Sequence, residues 1–307
     1  MNGLGVESSI YSTDLVPSPT LLSLIGVSTL LGRKALRDGF DTLVFHKGQG
    51  ASLFFRRSSA ICYFHEVKYD DLADGTFIRA AYRDSLAAIE KHLVRVVCNS
   101  AYVASRLRRL MPRANVVIGP PGTKKFLRHP EKAREEGFCY YHSRIHPRKN
   151  QDFLLRVFEG LPFDLYLTGG TWDRPFREYH KMILQKASEM TNVRFLPDVS
   201  ENTHFDLLNR CSLFVFPAKM EPFGMVLLDA MCFGKPIIAL NSGASPEVLD
   251  GAGMLCNDNV DDWRASITNL LSNPGTRSSL SRRSLARVNG FTWDRTAKEL
   301  VQILENA

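Results

Sequence analysis

The chain has 307 residues, 39 Lys and Arg against 32 Asp and Glu for a net charge of +7, and 44% apolar residues of which many are aromatic (10% of the chain). That composition belongs to a folded globular protein and excludes collagen-like, mucin-like and disordered classes. The length allows one large domain or two of roughly 150 residues, and the modest positive surplus selects no class of anionic partner by itself.

In chain order, the longest aliphatic run is Leu21 to Leu31 (LLSLIGVSTLL). It is about half of a membrane span and is interrupted by Ser, Thr and Gly, so it reads as part of a core helix near 21–37. No basic and apolar leader pattern opens the chain, and a cytoplasmic protein is expected. Short β-branched or aromatic runs then alternate with amphipathic stretches, the pattern of parallel strands joined by crossover helices. Strands are expected near 42–46, 60–65, 94–99 and 116–119, with further helices near 76–92 and 101–111. The charged stretch Lys124 to Glu136 (KKFLRHPEKAREE) is a linker candidate, assigned to 126–137. It divides an N-terminal domain, 1–125, from a C-terminal domain, 138–307.

The second series has strands near 138–142, 163–168, 193–196, 212–217, 236–240 and 253–256. Helices are expected near 150–160, 176–190, 203–210, 224–233, 260–272, 276–288 and 293–305. Asn150 is placed as the N-cap of the helix that carries Phe153, Leu154, Val157 and Phe158 on one face. The fold class is therefore α/β, with two Rossmann-like doubly wound domains. The N-terminal one, with four strands, is reduced or incomplete, and the last helix is expected to pack back on it.

Six cysteines (62, 98, 139, 211, 232 and 256) form no CxxC and no Cys/His pair at ligand spacing. They read as buried thiols in a reducing compartment, with no metal site. The basic runs at Arg106–Arg109, Lys124–Lys125 and Arg282–Arg283 lack interleaved aromatics. They read as solvated helix faces, and nucleic acid is not an expected partner.

Open α/β sheets take ligands at the carboxyl ends of their strands. The richest such loop is Phe216-Pro-Ala-Lys-Met-Glu221-Pro-Phe-Gly-Met225, which leads into a helix carrying Asp229. Backbone N–H groups at that helix entry offer a seat for phosphate. Glu221 and Asp229 stand about 12 Å apart along a helix. That is too far for a shared proton but suitable for gripping hydroxyls at two ends of an extended ligand; an exposed turn Glu and a surface Asp are the plainer alternative. The loop His142-Ser-Arg144-Ile-His-Pro-Arg148-Lys149 brings three permanent cations, which would neutralise a diphosphate or simply meet solvent. Gly169-Gly170 either admits a ligand close to the backbone or makes a turn.

The segments HSRIHPRKNQDFLLRVFEGL, DLYLTGG, VRFLPDVSENTHFDLLNRCSLFVFPAKMEPFGMVLLDAMCFGKPIIALNSGASPEVLDGAGMLC and FTWDRTAKELVQIL, in this order, resemble the family 4 (group 1) retaining glycosyltransferases of the GT-B fold across 138–305. The resemblance implies that Arg144 and Lys149 hold the donor diphosphate, that Glu221 lies near the transferred sugar and that Asp229 binds the nucleotide ribose. It further implies that Phe223, Gly224 and Met225 offer backbone N–H groups, and that the strand end from Arg194 to Leu196 lies against the base. Gly169 joins the donor-binding set. Trp293 matches an aromatic of the closing helix and is expected in the core. In the first half, the strand ending at His46 resembles one whose terminal His lies near the sugar, and AICYFHE, with His65, resembles the next. Each of the two histidines is either a site residue or a polar residue closing a strand.

Two departures from the family pattern stand out. Ser143 replaces a usual Gly, which narrows the room beside Arg144, and Asp229 is one methylene shorter than the usual Glu. The resemblance implies a transferase that moves a sugar from a nucleotide-diphosphate sugar to a glycan or lipid-linked hydroxyl, with retention and with neither metal nor further cofactor. A donor-binding subunit that needs a second polypeptide, or forms a homo-oligomer, is the alternative, and a sugar-nucleotide epimerase a third. Peripheral membrane contact would use Leu21–Leu31, Phe54–Arg57 and Arg106–Arg109, against the plainer reading of a core helix and surface charge.

Overall fold

The computed structural model describes residues 42–46, 59–67, 83, 86–87, 90–91, 95–123, 135–170 and 176–305. The expected helix near 21–37, most of that near 76–92, Phe54–Arg57, and the linker up to residue 134 lie outside them. The chain divides into two compact units, Met1–Pro121 with Trp293–Ala307, and Gly122–Thr292.

In the first unit, β1 (Thr42–His46), β2 (Ser59–Phe64), β3 (Arg95–Cys98) and β4 (Val116–Ile118) form a parallel sheet in that spatial order. Helix α1 (Ala101–Leu110) crosses between β3 and β4. Ser100 caps it by accepting from the Val103 N–H at 3.1 Å. Its apolar stripe, Val103, Ala104 and Leu107, buries against Phe64, Val96, Cys98 and Val116. Arg108 and Arg109 are exposed as a solvated run should be, but Arg106 is not. Arg106 is buried and donates from Nη1 to the Tyr102 hydroxyl at 2.7 Å, because its position one turn on from Tyr102 lies at the edge of the apolar stripe.

The second unit carries β5 (Cys139–His142), a 3-10 turn (Pro147–Lys149), α2 (Gln151–Phe158), β6 (Leu165–Thr168), α3 (Arg177–Glu189), β7 (Val193–Leu196) and α4 (Glu201–Arg210). There follow β8 (Leu213–Phe216), α5 (Met225–Cys232), β9 (Ile237–Leu240), α6 (Ser245–Leu249), β10 (Met254–Cys256), α7 (Val260–Ser272) and α8 (Pro274–Val288). The six strands pair in parallel in the order β10-β9-β8-β5-β6-β7. The inner strands read LFVF in β8 and IIAL in β9, and every residue of both is buried. Such unbroken apolar runs are what a parallel sheet covered on both faces requires. Trp263 and Phe153 close one face, edge to face at 5.6 Å. Lys235 is also fully buried; its ammonium donates to the Asn209 and Cys211 carbonyls at 2.6 and 2.9 Å, satisfying the C-terminal end of α4.

The last helix, α9 (Trp293–Glu305), belongs to the first unit although it follows the second in the chain. Leu300 packs on Tyr63 and Val97, and the Thr296 hydroxyl donates to the Pro120 carbonyl at 2.6 Å. Trp293, expected in the core, is instead 53% exposed: it begins the helix, a turn ahead of the residues that touch the sheet. All six cysteines are buried and none forms a disulfide. Among the described residues, no helix is long and apolar enough to cross a membrane.

Candidate functional site

The strand order of the second unit reverses between β5, the first strand of the unit, and β8, the fourth. At such a switch point the two following loops leave in opposite directions and open a crevice at the carboxyl edge. The loops at the switch point here are the cation-bearing one after β5 and the Glu221 loop after β8. They are tied together by the Lys219 N–H donating to the Arg148 carbonyl at 2.8 Å, and by the Arg148 guanidinium reaching the Met220 carbonyl at 3.4 Å.

The central contact is an ion pair. Lys149 Nζ lies 2.5 Å from Glu221 Oε2, with the two side chains only 14% and 10% exposed. Removal from water makes such a pair dependent on both partners. Lys149 also lies over the Phe216 ring, 6.0 Å from its centre, and its carbonyl accepts from the Tyr141 hydroxyl at 2.9 Å. Arg144 is exposed, whereas Ser143 beside it is buried. The Ser143 hydroxyl accepts from Gln151 Nε2 at 2.8 Å and donates to the Arg144 carbonyl at 3.2 Å. The hydroxyl that distinguishes Ser143 from the glycine of the resembling family is thus taken up inside the loop.

Asn150 departs from its expected role. It stands at the N-cap position of α2, but its backbone is left-handed (φ 61°) and its side chain makes no capping bond. Its Nδ2 instead donates to the Pro217 carbonyl at 3.1 Å, a third link between the two loops. Asn tolerates the left-handed region better than other non-glycine residues do, which allows both jobs at once.

Helix α5 begins after Gly224, whose φ of 88° suits only glycine at little cost. The Leu227 N–H turns back to the Gly224 carbonyl at 2.8 Å, while the N–H groups ahead of it have no intrahelical acceptor and carry the positive end of the helix dipole. Phe223 is buried edge to face on Phe291 at 5.9 Å, so only its backbone is available to a ligand. Met225 is exposed at the helix entry.

Gly169 (φ 130°) serves the chain itself. A Cβ there would strike the Ser143 carbonyl, so the glycine lets the loops after β5 and β6 touch. Leu196 ends β7 at the carboxyl edge, in register with Thr168. Arg194 lies two residues back with its guanidinium over the Tyr166 ring at 5.4 Å; Tyr166 in turn stacks on Phe138 at 4.2 Å, ahead of β5. Arg194 is therefore drawn away from the carboxyl edge. In the first unit, His46 and His65 stand at the carboxyl ends of the neighbouring strands β1 and β2. The His46 side chain lies outside the described residues. His65 is exposed, tilted against Tyr63 at 4.8 Å, and its carbonyl accepts from Asn99 Nδ2 at 2.8 Å.

A polar cluster that periodicity does not reveal lies beside Asp229. The Tyr140 hydroxyl is 2.8 Å from both Thr168 Oγ1 and His204 Nδ1, and Thr168 Oγ1 is 2.7 Å from His142 Nδ1. The His142 and His204 rings stack at 4.0 Å, and His204 Nε2 is 3.9 Å from Asp229 Oδ2. Burial, with His204 beside it, lowers the His142 pKa to about 3. Burial raises that of Tyr140, which keeps its phenol protonated.

A doubly wound parallel sheet with ion-paired loops and a helix entry at its switch point defines an α/β protein of the GT-B class, built from Rossmann-like units. Residues 123–287, more than half of the chain, match the glycosyl transferases group 1, and the chain belongs to that family. It is 27% identical over 171 residues to the O-antigen chain mannosyltransferase B of Escherichia coli, covering 54% of this chain and 45% of that one. Among solved structures, sucrose-phosphate synthase from Thermosynechococcus elongatus superposes with a TM-score of 0.81 at 19% identity, over 95% of this chain and 80% of that one. Anabaena HepE in complex with UDP and glucose gives 0.77 at 18%, over 94% and 84%. The chain spans about half the length of the curated relatives it matches.

Proposed function

We propose that this protein transfers a sugar from a nucleotide-diphosphate sugar to a hydroxyl acceptor. The observation that carries the reading is the Lys149–Glu221 pair, joined across the switch point at the entry to α5. A cation, a carboxylate and unpaired helix N–H groups converge where a sugar diphosphate needs all three. Family membership and the UDP and glucose held by the HepE neighbour support the same ligand class.

In this reading Arg144 and Lys149 take up charge on the departing nucleotide diphosphate, and the N–H groups of Phe223, Gly224 and Met225 bind sugar and phosphate. Glu221 orients Lys149 and the sugar, Asp229 holds the ribose, and Leu196 lines the base. The anomeric carbon–oxygen bond to the diphosphate breaks and the acceptor oxygen bonds on the same face. The acceptor's proton passes to the leaving phosphate oxygen, so the configuration is retained without a carboxylate acid–base pair. His46 and His65 are assigned to the sugar side. The donor is the reaction's substrate and no further cofactor or metal enters the scheme; the acceptor is a glycan or lipid-linked hydroxyl.

The test is calorimetric binding of UDP-, GDP- and ADP-sugars to the wild type, Lys149→Ala and Glu221→Ala. One of the donors is expected to bind the wild type, and Lys149→Ala to weaken it by about tenfold or more, the scale of a lost charge-assisted hydrogen bond. Unchanged affinity in both variants removes the pair from the donor site.

A further inference from the structure

The geometry points to a positioning residue that the family assignment does not supply: we propose that His204 turns an Nε2–H toward Asp229 and by its field biases the carboxylate's orientation for the ribose, its tautomer set by a one-way hydrogen-bond chain that starts at His142. The inference rests on the donor reading above for what Asp229 binds. It does not depend on that reading for the chain itself.

The hydrogens available to the chain constrain its direction. Four groups lie in line, His142 Nδ1, Thr168 Oγ1, Tyr140 OH and His204 Nδ1, with contacts of 2.7, 2.8 and 2.8 Å. Each contact needs one hydrogen, and the two hydroxyls bring one each. The third must come from an imidazole Nδ1 at one end. With both rings neutral, only two arrangements fill all three contacts without facing lone pairs and without leaving a buried hydroxyl hydrogen outside the line. Either His204 donates to Tyr140, Tyr140 to Thr168 and Thr168 to His142, or every bond runs the other way.

Asp229 selects between them. His204 Nε2 is buried, has no hydrogen-bond partner of its own and faces Asp229 Oδ2 at 3.9 Å. In the first arrangement that nitrogen turns a lone pair toward a carboxylate, which is repulsive where little water screens it. In the second, Tyr140 donates to His204 Nδ1, and the remaining proton sits on Nε2, aimed at Asp229. The second therefore fixes the tautomer, as second-layer bonds do for a functional imidazole. The low pKa of His142 agrees with the neutral ring that both arrangements require. Because His204 is only 5% exposed, it acts on the ligand through Asp229 and not by direct contact. Asp229 itself is half-buried.

The test uses the full chain with 15N-labelled histidine, assigned through His204→Gln and His142→Gln. His204 is expected to carry its proton on Nε2 and His142 on Nδ1, and Tyr140→Phe to abolish the single tautomer at His204. Donor affinity is then read in His204→Phe, His204→Gln, Tyr140→Phe and Asp229→Asn. Phe at 204 is expected to weaken binding about tenfold, while Gln, whose amide N–H reaches a similar place, stays within about threefold of wild type. If His204→Phe fails to fold, Tyr140→Phe carries the same comparison. A His204 protonated on Nδ1, or equal binding by wild type, His204→Phe and Tyr140→Phe while Asp229→Asn is weakened, overturns the inference and leaves the donor reading standing. Absence of sugar-nucleotide binding by the wild type removes the donor reading and the ribose role with it, while the His204 tautomer still tests the chain.

Discussion

At the scale of single residues, burial decides which groups at the carboxyl edge can hold charge. His142 titrates near 6.5 when unfolded and is lowered to about 3 in the fold, first by desolvation and then by the adjacent His204. Between those two values the unfolded chain binds the extra proton and the folded one does not. Stability therefore rises with pH through the window. The contribution of neutral His142 is complete above 6.5 and is lost as pH falls toward 3. His142→Gln, which preserves a polar side chain without the titration, is expected to flatten the acid limb of a urea-midpoint curve between pH 6.5 and 4. The carboxylates that also titrate there are common to both proteins and cancel in the comparison. Parallel curves for wild type and variant would show that the ring does not lose its proton on folding. Exposure separates the Lys149–Glu221 pair from ordinary surface charges, since it is closed off from water in a way that the exposed Lys181–Glu178 pair is not.

At the scale of elements, the two loops of the switch point are held by backbone-directed bonds that a single residue can release. Asn150→Ala forces a β-carbon without a polar rescue into φ 61° and deletes the bond to Pro217, a combined cost of roughly 1–3 kcal/mol. Asn150→Gly removes the strain but not the lost bond, so its melting point is expected to fall between wild type and Ala; donor affinity should fall in both. A Gly variant no more stable than Ala would mean that strain plays no part. The elements themselves were largely legible in the sequence. All ten strands among the described residues fall within two residues of their expected bounds, because short unbroken β-branched and aromatic runs such as LFVF and IIAL, bounded by Ser, Pro and Asn, mark buried strands. The 3-10 turn at 147–149 and the five-residue helix α6 were not, since neither has two turns over which a face can repeat. The site was half legible. Lys149, Glu221 and Gly224 stand in a motif, whereas His204 hides at an ordinary inward position of α4, and only the fold brings it to Tyr140 and Asp229. The contact of Arg194 with the Tyr166 ring was not legible either, because spacing along β7 does not say what lies one strand over.

At the scale of the whole molecule, the chain leaves its second unit at Thr292 and spends its last helix on the first. Helix α9 covers Tyr63 and Val97 with Leu300, and Thr296 closes on the carbonyl of Pro120. Tyr63 is itself anchored, its hydroxyl donating to the Gly119 carbonyl at 2.7 Å, so the helix covers a place where β2 is already pinned to the end of β4. Removing Leu300 exposes that place, and removing the Thr296 hydroxyl leaves a carbonyl without its donor. The double variant Leu300→Ala, Thr296→Val is expected to cost the first unit about 2–5 kcal/mol, the range for a large-to-small change with a lost bond. The second unit shares none of these contacts, and its core of Phe214, Phe216 and Trp263 is built from its own residues. Hydrogen exchange followed by mass spectrometry separates the two: protection should fall in β2 and β3 and hold in β5 and β8. Equal loss in both units would mean that they unfold as one cooperative body, and that the terminal helix stabilises the molecule as a whole and not the sheet it touches.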